Sequence, residues 1–372
     1  MYGLMWKTVS EDCNLACDYC YYSSVLGRPM EIRRPSPKVL DKALKDYMGT
    51  CGSVANIVWQ GGEPLLAGLD FFEQVVSLEA RYARPNTVIS NTIQTNGTLL
   101  NEKWMRFLKT YRFFVGISID GPEQIHNARR VDARGSGSFK RVMRGLNYLI
   151  DYDIPFNILT VIGSHNVCKP ADLINFYREN HLRWVQFIPE MNFVAQQVAA
   201  PSHYAITPRE YGDFLCEVFD IWFAGDRDAL SIRFFDNVLQ TYVELKPEIC
   251  TMNASCPQRL VLESNGDIYP CDFYIDQEWK IGNVATMTLF EALESPRFRA
   301  FMALKPRLPR RCQSCEWLSH CQGGCPRNRN WGDAAEDNPD YFCDAFMQFF
   351  AYTHERLEAL ADHVRGNLIK LR

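Results

Sequence analysis

The sequence predicts an α/β chain: a parallel sheet wound with helices, then a small cysteine-rich region and a closing helix. Three observations predict it. From Gly3 to about Phe235, short β-rich runs alternate with longer helical patterns. Most of those runs are apolar at consecutive positions, as strands buried on both faces are. Eight of the 14 cysteines lie beyond residue 249, where the alternation stops.

Strands are expected at 3–9, 56–60, 88–94, 113–119, 156–162, 185–189 and 231–234. The helices between them carry their own start signals. Residues 37–47 follow Ser36, with Pro37 at the first helical position. Residues 71–82 follow Asp70 and 102–109 follow Asn101, both N-cap types. Helices at 138–152, 171–180 and 208–223 complete the set, the last preceded by Thr207. Connections this long imply parallel strands and right-handed crossovers. A full or partial α/β barrel satisfies the pattern, and so does an open doubly wound sheet; periodicity does not separate them.

Beyond residue 236 a hairpin-like pair, 260–263 and 267–269, flanks the turn signal Asn265-Gly266. A final helix from about Pro339 to Val364 sets Phe342, Phe346, Phe349, Phe350 and Leu357 on one face. No repeat period recurs. The expected division is 1–235 and 236–372.

The chain has 372 residues, 47% hydrophobic and 23% charged, with a net charge of −4. That mixture excludes a disordered or collagenous chain. The balance gives no global electrostatic reason to bind nucleic acid or an anionic membrane. Met1–Lys7 lacks a basic region followed by an apolar stretch, and no apolar run approaches the roughly 20 residues of a membrane span. A soluble, cytoplasmic protein is expected, with no nucleic-acid or membrane partner. In a reducing compartment 14 cysteines point to metal binding rather than disulfides.

Cys13, Cys17 and Cys20 stand just after the first strand as C-x3-C-x2-C, where barrel folds place their chemistry. Three thiolates are one short of a closed zinc site or a fully ligated 4Fe–4S cluster. On a cubane they leave one iron open; a zinc site with a distant fourth ligand is the alternative. The stretch Cys13-Asn14-Leu15-Ala16-Cys17-Asp18-Tyr19-Cys20, with aromatic Tyr19 before the third cysteine, resembles the signature of radical S-adenosylmethionine (SAM) enzymes. In that family the open iron binds the amino and carboxylate groups of SAM.

Gly61-Gly62-Glu63-Pro64, directly after Gln60, matches the motif that receives the SAM amino group. The glycines admit close backbone approach, and a carboxylate or carbonyl accepts from an ammonium. Period-2 geometry puts Ser118 and Asp120 on one face at the end of the fourth strand. The resemblance places both near the SAM ribose, although Asp120 also reads as a turn-forming Asp-Gly. Gln94-Thr95-Asn96-Gly97 is a further family-like strand end. Arg130 is a partner for the SAM carboxylate or an exposed structural arginine, and Met191 an adenine contact or core filler.

The second set, Cys250, Cys256, Cys271, Cys312, Cys315, Cys321, Cys325 and Cys343, suits two four-cysteine clusters or two zinc sites. Cys51, Cys168 and Cys216 lack partner spacing and read as structural. The spacing, with Gly266, resembles the SPASM auxiliary domain of radical SAM peptide-modifying enzymes. The resemblance implies Cys250, Cys256, Cys271 and Cys325 on one auxiliary 4Fe–4S cluster and Cys312, Cys315, Cys321 and Cys343 on the other. Its implied fold is a partial (β/α)6 TIM-like barrel followed by a small Cys-rich iron–sulfur (SPASM) domain and a C-terminal helix.

Within that group, Trp59–Pro64 with Ala67-Gly68-Leu69, Gln94–Leu99, Val115–Pro122 with Ile125-His126-Asn127, and Cys271-Asp272-Phe273-Tyr274 resemble anaerobic sulfatase-maturating enzymes. The likeness implies oxidation of one Cys or Ser of a sulfatase polypeptide to Cα-formylglycine. It also implies three 4Fe–4S clusters, SAM, and an electron donor such as flavodoxin or ferredoxin. SAM cleavage would give a 5′-deoxyadenosyl radical that attacks the substrate Cβ hydrogen. Asp272 would be the base, desolvated by Phe273 and Tyr274. Tyr22 would line the substrate cavity and Gln60 would bridge SAM and substrate. Another radical SAM reaction on a ribosomally made precursor peptide (thioether, crosslink or epimerisation) is the second reading. With 12 residues before Cys13, a long N-terminal peptide-recognition domain is not expected, which favours the first. A non-catalytic zinc or electron-transfer protein is the third.

Overall fold

A computed structural model describes residues 2–22, 31–190, 206–225, 227, 229–329 and 337–370, with the backbone alone for the last four. Its two units are Met1–Ile119, Glu123–Ile158 and Pro257–Phe301, and Asp120–Pro122, Leu159–Cys256 and Met302–Arg372. Each unit takes strands from before residue 235 and cysteine-bearing segments from after it, so compactness follows a different line from the expected division.

Among the described residues the strands are β1 (Gly3–Lys7), β2 (Val54–Gln60), β3 (Val88–Thr95), β4 (Phe114–Ser118), β5 (Phe156–Ile162), β6 (Trp184–Pro189), β7 (Ser231–Ile232), β8 (Arg259–Glu263), β9 (Asp267–Tyr269) and β10 (Gly282–Asn283). In the first unit β1 to β4 are parallel neighbours in chain order, with Leu4 opposite Ile57, Trp59 opposite Ile93 and Gln94 opposite Gly116. β8 and β9 form the expected antiparallel hairpin, Val261 opposite Tyr269. The hairpin is not free-standing: β8 pairs in parallel with β1, from Gly3 opposite Arg259 to Lys7 opposite Glu263.

Three helices cover the early strands. In α1 (Pro37–Thr50) Ser36 accepts the Val39 N–H, and in α3 (Glu102–Thr110) Asn101 accepts those of Lys103 and Trp104. Between them α2 (Leu69–Tyr82) starts earlier than expected, at Gly68 with φ 86°, so Asp70 sits in the first turn rather than at the cap. Beneath the sheet Trp6 and Trp59 stack at 5.5 Å, both fully buried. The Trp59 indole donates to Asn91 at 2.8 Å, and Asn91 donates to Glu79 of α2 at 2.9 Å. This polar chain ties α2 to the C-terminal end of β2 and the middle of β3.

In the second unit β6 pairs in parallel with β7, Trp184 opposite Ser231. The expected strand 231–234 stops after two residues and becomes a helix, Arg233–Tyr242. A short apolar run such as Ile232–Phe235 fits either state, and packing decides. As a helix it sets Phe235 face to face with Phe349 at 5.5 Å and Phe234 against Phe346 at 5.9 Å, both on the C-terminal helix Cys343–Lys370. That helix starts at Cys343 rather than Pro339 because the Asp340 carboxylate takes the Phe342 and Cys325 amides, turning the chain before it.

Candidate functional site

The loop after β1 is stitched to the loop after β2. Ser10 and Asp12 carbonyls accept from Gly62 and Glu63 N–H at 2.7 and 2.8 Å. The approach requires glycine: a Cβ on Gly62 would stand 2.0 Å from the Asp12 carbonyl oxygen, and Gly61 has φ +130°. This seats the Cys13–Cys20 loop over the strand ends. Glu63 is fully buried, accepting from Leu65 N–H, Thr95 hydroxyl and Asn96 N–H at 3.0, 2.7 and 2.8 Å. Burial nonetheless pushes its carboxyl up to about 7.

Cys13 is half-buried; burial, and then the Glu63 carboxylate, push its thiol up to about 12. A thiol in that state ionises when a metal replaces its proton. Asn96 Nδ2 points at its sulfur at 3.8 Å and donates to Asn14 at 2.9 Å. Ser118 accepts from Gln94 Nε2 at 3.2 Å, which joins the ends of β3 and β4. Arg130 is buried and lies over the Tyr19 ring at 5.4 Å, which corrects the picture of an exposed arginine. Asp120, also buried, accepts from Val161 N–H at 3.1 Å and faces His165 at 3.8 Å. Met191 lies outside the described residues.

At the C-terminal end of β1 is a residue that sequence reasoning missed. The Lys7 side chain is fully buried, donating to Gln60 Oε1 at 3.2 Å and Tyr21 OH at 3.1 Å. Its ammonium stands 4.3 Å from the Tyr22 ring centre and 4.0 Å from Asp272 Oδ2. Tyr21 donates to the same Asp272 oxygen at 3.1 Å, and Tyr22 donates to Glu263 at the end of β8. Burial pulls the Lys7 ammonium down, while Asp272 and Glu263 act against that. Burial, then Asp272, hold the Tyr21 phenol well above its usual range. Phe273 packs edge-on against Tyr21 at 5.2 Å, and Tyr274 packs against Trp279 and Phe301. The signal for Lys7 was available: a lysine closing a buried apolar strand demands a partner.

In the second unit Cys312, Cys315, Cys321 and Cys343 line one cavity of about 370 Å³, walled also by Phe346 and Phe350. Burial pushes the Cys321 and Cys343 thiols up to about 12 and about 11. Cys325, outside that cavity, is pushed up to about 12 by burial and then by Cys250. Among the described residues the cysteines form no disulfides. Among the described residues no three His, Cys, Asp or Glu side chains converge on the point a single ion would occupy. Four cysteine sulfurs around an apolar-walled cavity are the donor set of a thiolate-held cluster.

A fold of parallel strands with a cysteine triad at the strand ends and a cysteine-rich tail defines a class. Residues 8–177 match the model of the radical SAM superfamily, and 255–316 that of an iron–sulfur cluster-binding domain. The chain is a radical SAM enzyme, with the partial-barrel and SPASM fold. It is 34% identical to a cysteine-type anaerobic sulfatase-maturating enzyme of Clostridium perfringens, over 98% of this chain and 99% of that one. It is likewise 34% identical to a serine-type enzyme of Bacteroides thetaiotaomicron, over 94% and 88%. A structure of native anSMEcpe with bound AdoMet and Cp18Cys peptide matches at a TM-score of 0.90 and 33% identity, covering 98% of this chain and 99% of that one. The chain belongs to the anaerobic sulfatase-maturating enzymes.

Proposed function

We propose that the protein oxidises a Cys or Ser side chain of a sulfatase polypeptide to Cα-formylglycine. The observation that carries it is a likeness, at 34% identity over nearly the whole chain, to maturases of both the cysteine and serine type. When bound, SAM and three 4Fe–4S clusters supply the hydrogen-abstracting and electron-accepting chemistry. Cys13, Cys17 and Cys20 hold the cluster that binds SAM. Gly61, Gly62 and Glu63 shape the seat for its amino group, Ser118 and Asp120 lie toward its ribose, and Tyr19, Arg130 and Met191 complete the contacts. Cys250, Cys256, Cys271 and Cys325 are assigned to one auxiliary cluster. Cys312, Cys315, Cys321 and Cys343 are assigned to the other, a grouping supported by their common cavity.

Asp272 removes the thiol or hydroxyl proton as the substrate radical is oxidised. Its oxygen is held by Tyr21, with the Lys7 ammonium, which itself donates to Gln60, beside it. Tyr22 lines the substrate side and Gln60 bridges toward SAM. An electron donor of the flavodoxin or ferredoxin kind supplies the first electron. The work belongs in the cytoplasm, where free thiols persist; among the described residues no helix is long and apolar enough to cross a membrane.

The test is anaerobic incubation of the reconstituted protein with SAM, a reductant and peptides carrying Cys-x-Pro-x-Arg or Ser-x-Ala-x-Arg, read by mass spectrometry. An aldehyde-bearing product, lost in Asp272→Asn while SAM cleavage persists, is expected. SAM cleavage without any peptide conversion overturns the substrate, and zinc in place of iron overturns the chemistry.

A further inference from the structure

Lys305 is 1% exposed, and among the described residues no carboxylate forms an ion pair with it. Its ammonium donates to the Thr251 carbonyl at 2.9 Å and the Gly324 carbonyl at 2.6 Å. Those residues adjoin Cys250 and Cys325, so one side chain staples two cysteine loops that are far apart in the chain. The acidic groups its charge faces are the thiols of Cys325, Cys250 and Cys256. A lysine buried without a carboxylate is costly unless another anion compensates it. Here the available anion is the thiolate set itself.

The neighbouring cations and anions differ. Arg329, also buried, donates to carbonyls of Gly323, Leu304, Lys305 and Arg307 and so builds the loop, while its charge reaches both Cys256 and Cys312. Cys343 faces Arg311, Asp344 and Asp340, and Cys321 faces Asp340, a carboxylate that bears on Cys325 as well; Arg311 and Asp344 act on Cys343 and not on the Lys305 set. Lys305 therefore distinguishes one cysteine set from the other.

We propose that Lys305 is a redox-tuning residue, its buried ammonium raising the reduction potential of the auxiliary cluster held by Cys250, Cys256 and Cys325. A cluster gains one negative charge when it takes an electron, so a fixed positive charge beside it favours the reduced form. The step it serves is transfer of one electron from the substrate radical to that oxidised cluster, with the substrate proton leaving to Asp272. The proposal rests on the maturase reading for that step, while the tuning itself is read without any substrate.

The experiment is a potentiometric titration of the three-cluster holoenzyme, followed by electron paramagnetic resonance under anaerobic conditions. Lys305→Met removes the charge; Lys305→Gln removes it while keeping an amide donor for the Thr251 and Gly324 carbonyls; Lys305→Arg keeps the charge. In the two neutral variants one midpoint is expected to move negative by at least tenfold in the reduced-to-oxidised ratio, about 59 mV for a one-electron couple. The other midpoints stay, and Lys305→Arg stays close to the parent. An iron-replete Lys305→Gln with all midpoints unmoved overturns the proposal, as does a common drift of every midpoint, or zinc in place of iron. A selective shift in a protein that converts no sulfatase peptide upholds the tuning and removes only the proposed substrate.

Discussion

Replacing Glu79 with Gln tests the polar chain that runs under the two strands carrying Gly61–Glu63 and Gln94–Gly97. Glu79 is 3% exposed; one carboxylate oxygen accepts from Asn91 and the other has no hydrogen-bond partner among the described residues. Burial raises its carboxyl from the ordinary 4.5 to about 7, against the smaller opposing effect of Asn91. A folded-state value above the unfolded one means the folded protein keeps a proton that the unfolded chain has released. Stability is therefore highest below about pH 4.5 and falls as pH rises, until the group is ionised in both states above about pH 7. At about 1.4 kcal/mol per pH unit the full loss is roughly 3 kcal/mol, of which roughly 1 falls between pH 6 and pH 8. Gln keeps the acceptor for Asn91 and never ionises. Glu79→Gln should thus melt higher than the parent at pH 8, with an advantage that shrinks by about 1–2 °C at pH 6. The assay is anaerobic thermal melting of the cluster-loaded protein at both pH values. A constant offset between parent and variant, or a variant that melts lower at pH 8, refutes the reasoning.

Gly62→Ala places a Cβ where the Asp12 carbonyl stands, so the two loops must part; iron content at the first cluster and SAM cleavage should both fall at least tenfold, checked by iron analysis and chromatography of the adenosyl product. Arg356→Ala removes the ion pair to Asp220 and a guanidinium lying over the Phe219 ring, and should cost about 1–2 kcal/mol in melting while cluster spectra stay unchanged.

The chemistry of the chain was more legible than its packing. Cysteine spacing is a local property, so the triad and the C-terminal set could be read directly, and N-caps such as Ser36 and Asn101 work within a few residues. What escaped depends on distant partners. Phe234 and Phe235 became helical because a helix more than a hundred residues later receives them. The pairing of β8 with β1 leaves no local trace, since β8 reads as a hairpin strand either way. Lys7 was passed over because its partners, Gln60, Tyr21 and Asp272, come from three separate segments. Arg130 carried two readings, a partner for the SAM carboxylate or an exposed arginine, because the Tyr19 ring it lies over is more than a hundred residues away in the chain.

The parallel pairing of β1 with β8 also sets a clock on synthesis. β1 leaves the ribosome first, and its partner on one side follows about 250 residues later, at roughly 5–20 residues per second a wait on the order of ten seconds or more. Through that interval an apolar strand edge is open, and Ser10 lacks the Glu263 and Ser264 side chains that finally hold the start of the cysteine loop. The nascent chain thus spends its early life with its metal-binding loop supported on one side only. Iron delivered before residue 263 emerges meets an unfinished site; iron delivered afterwards meets one braced from both edges.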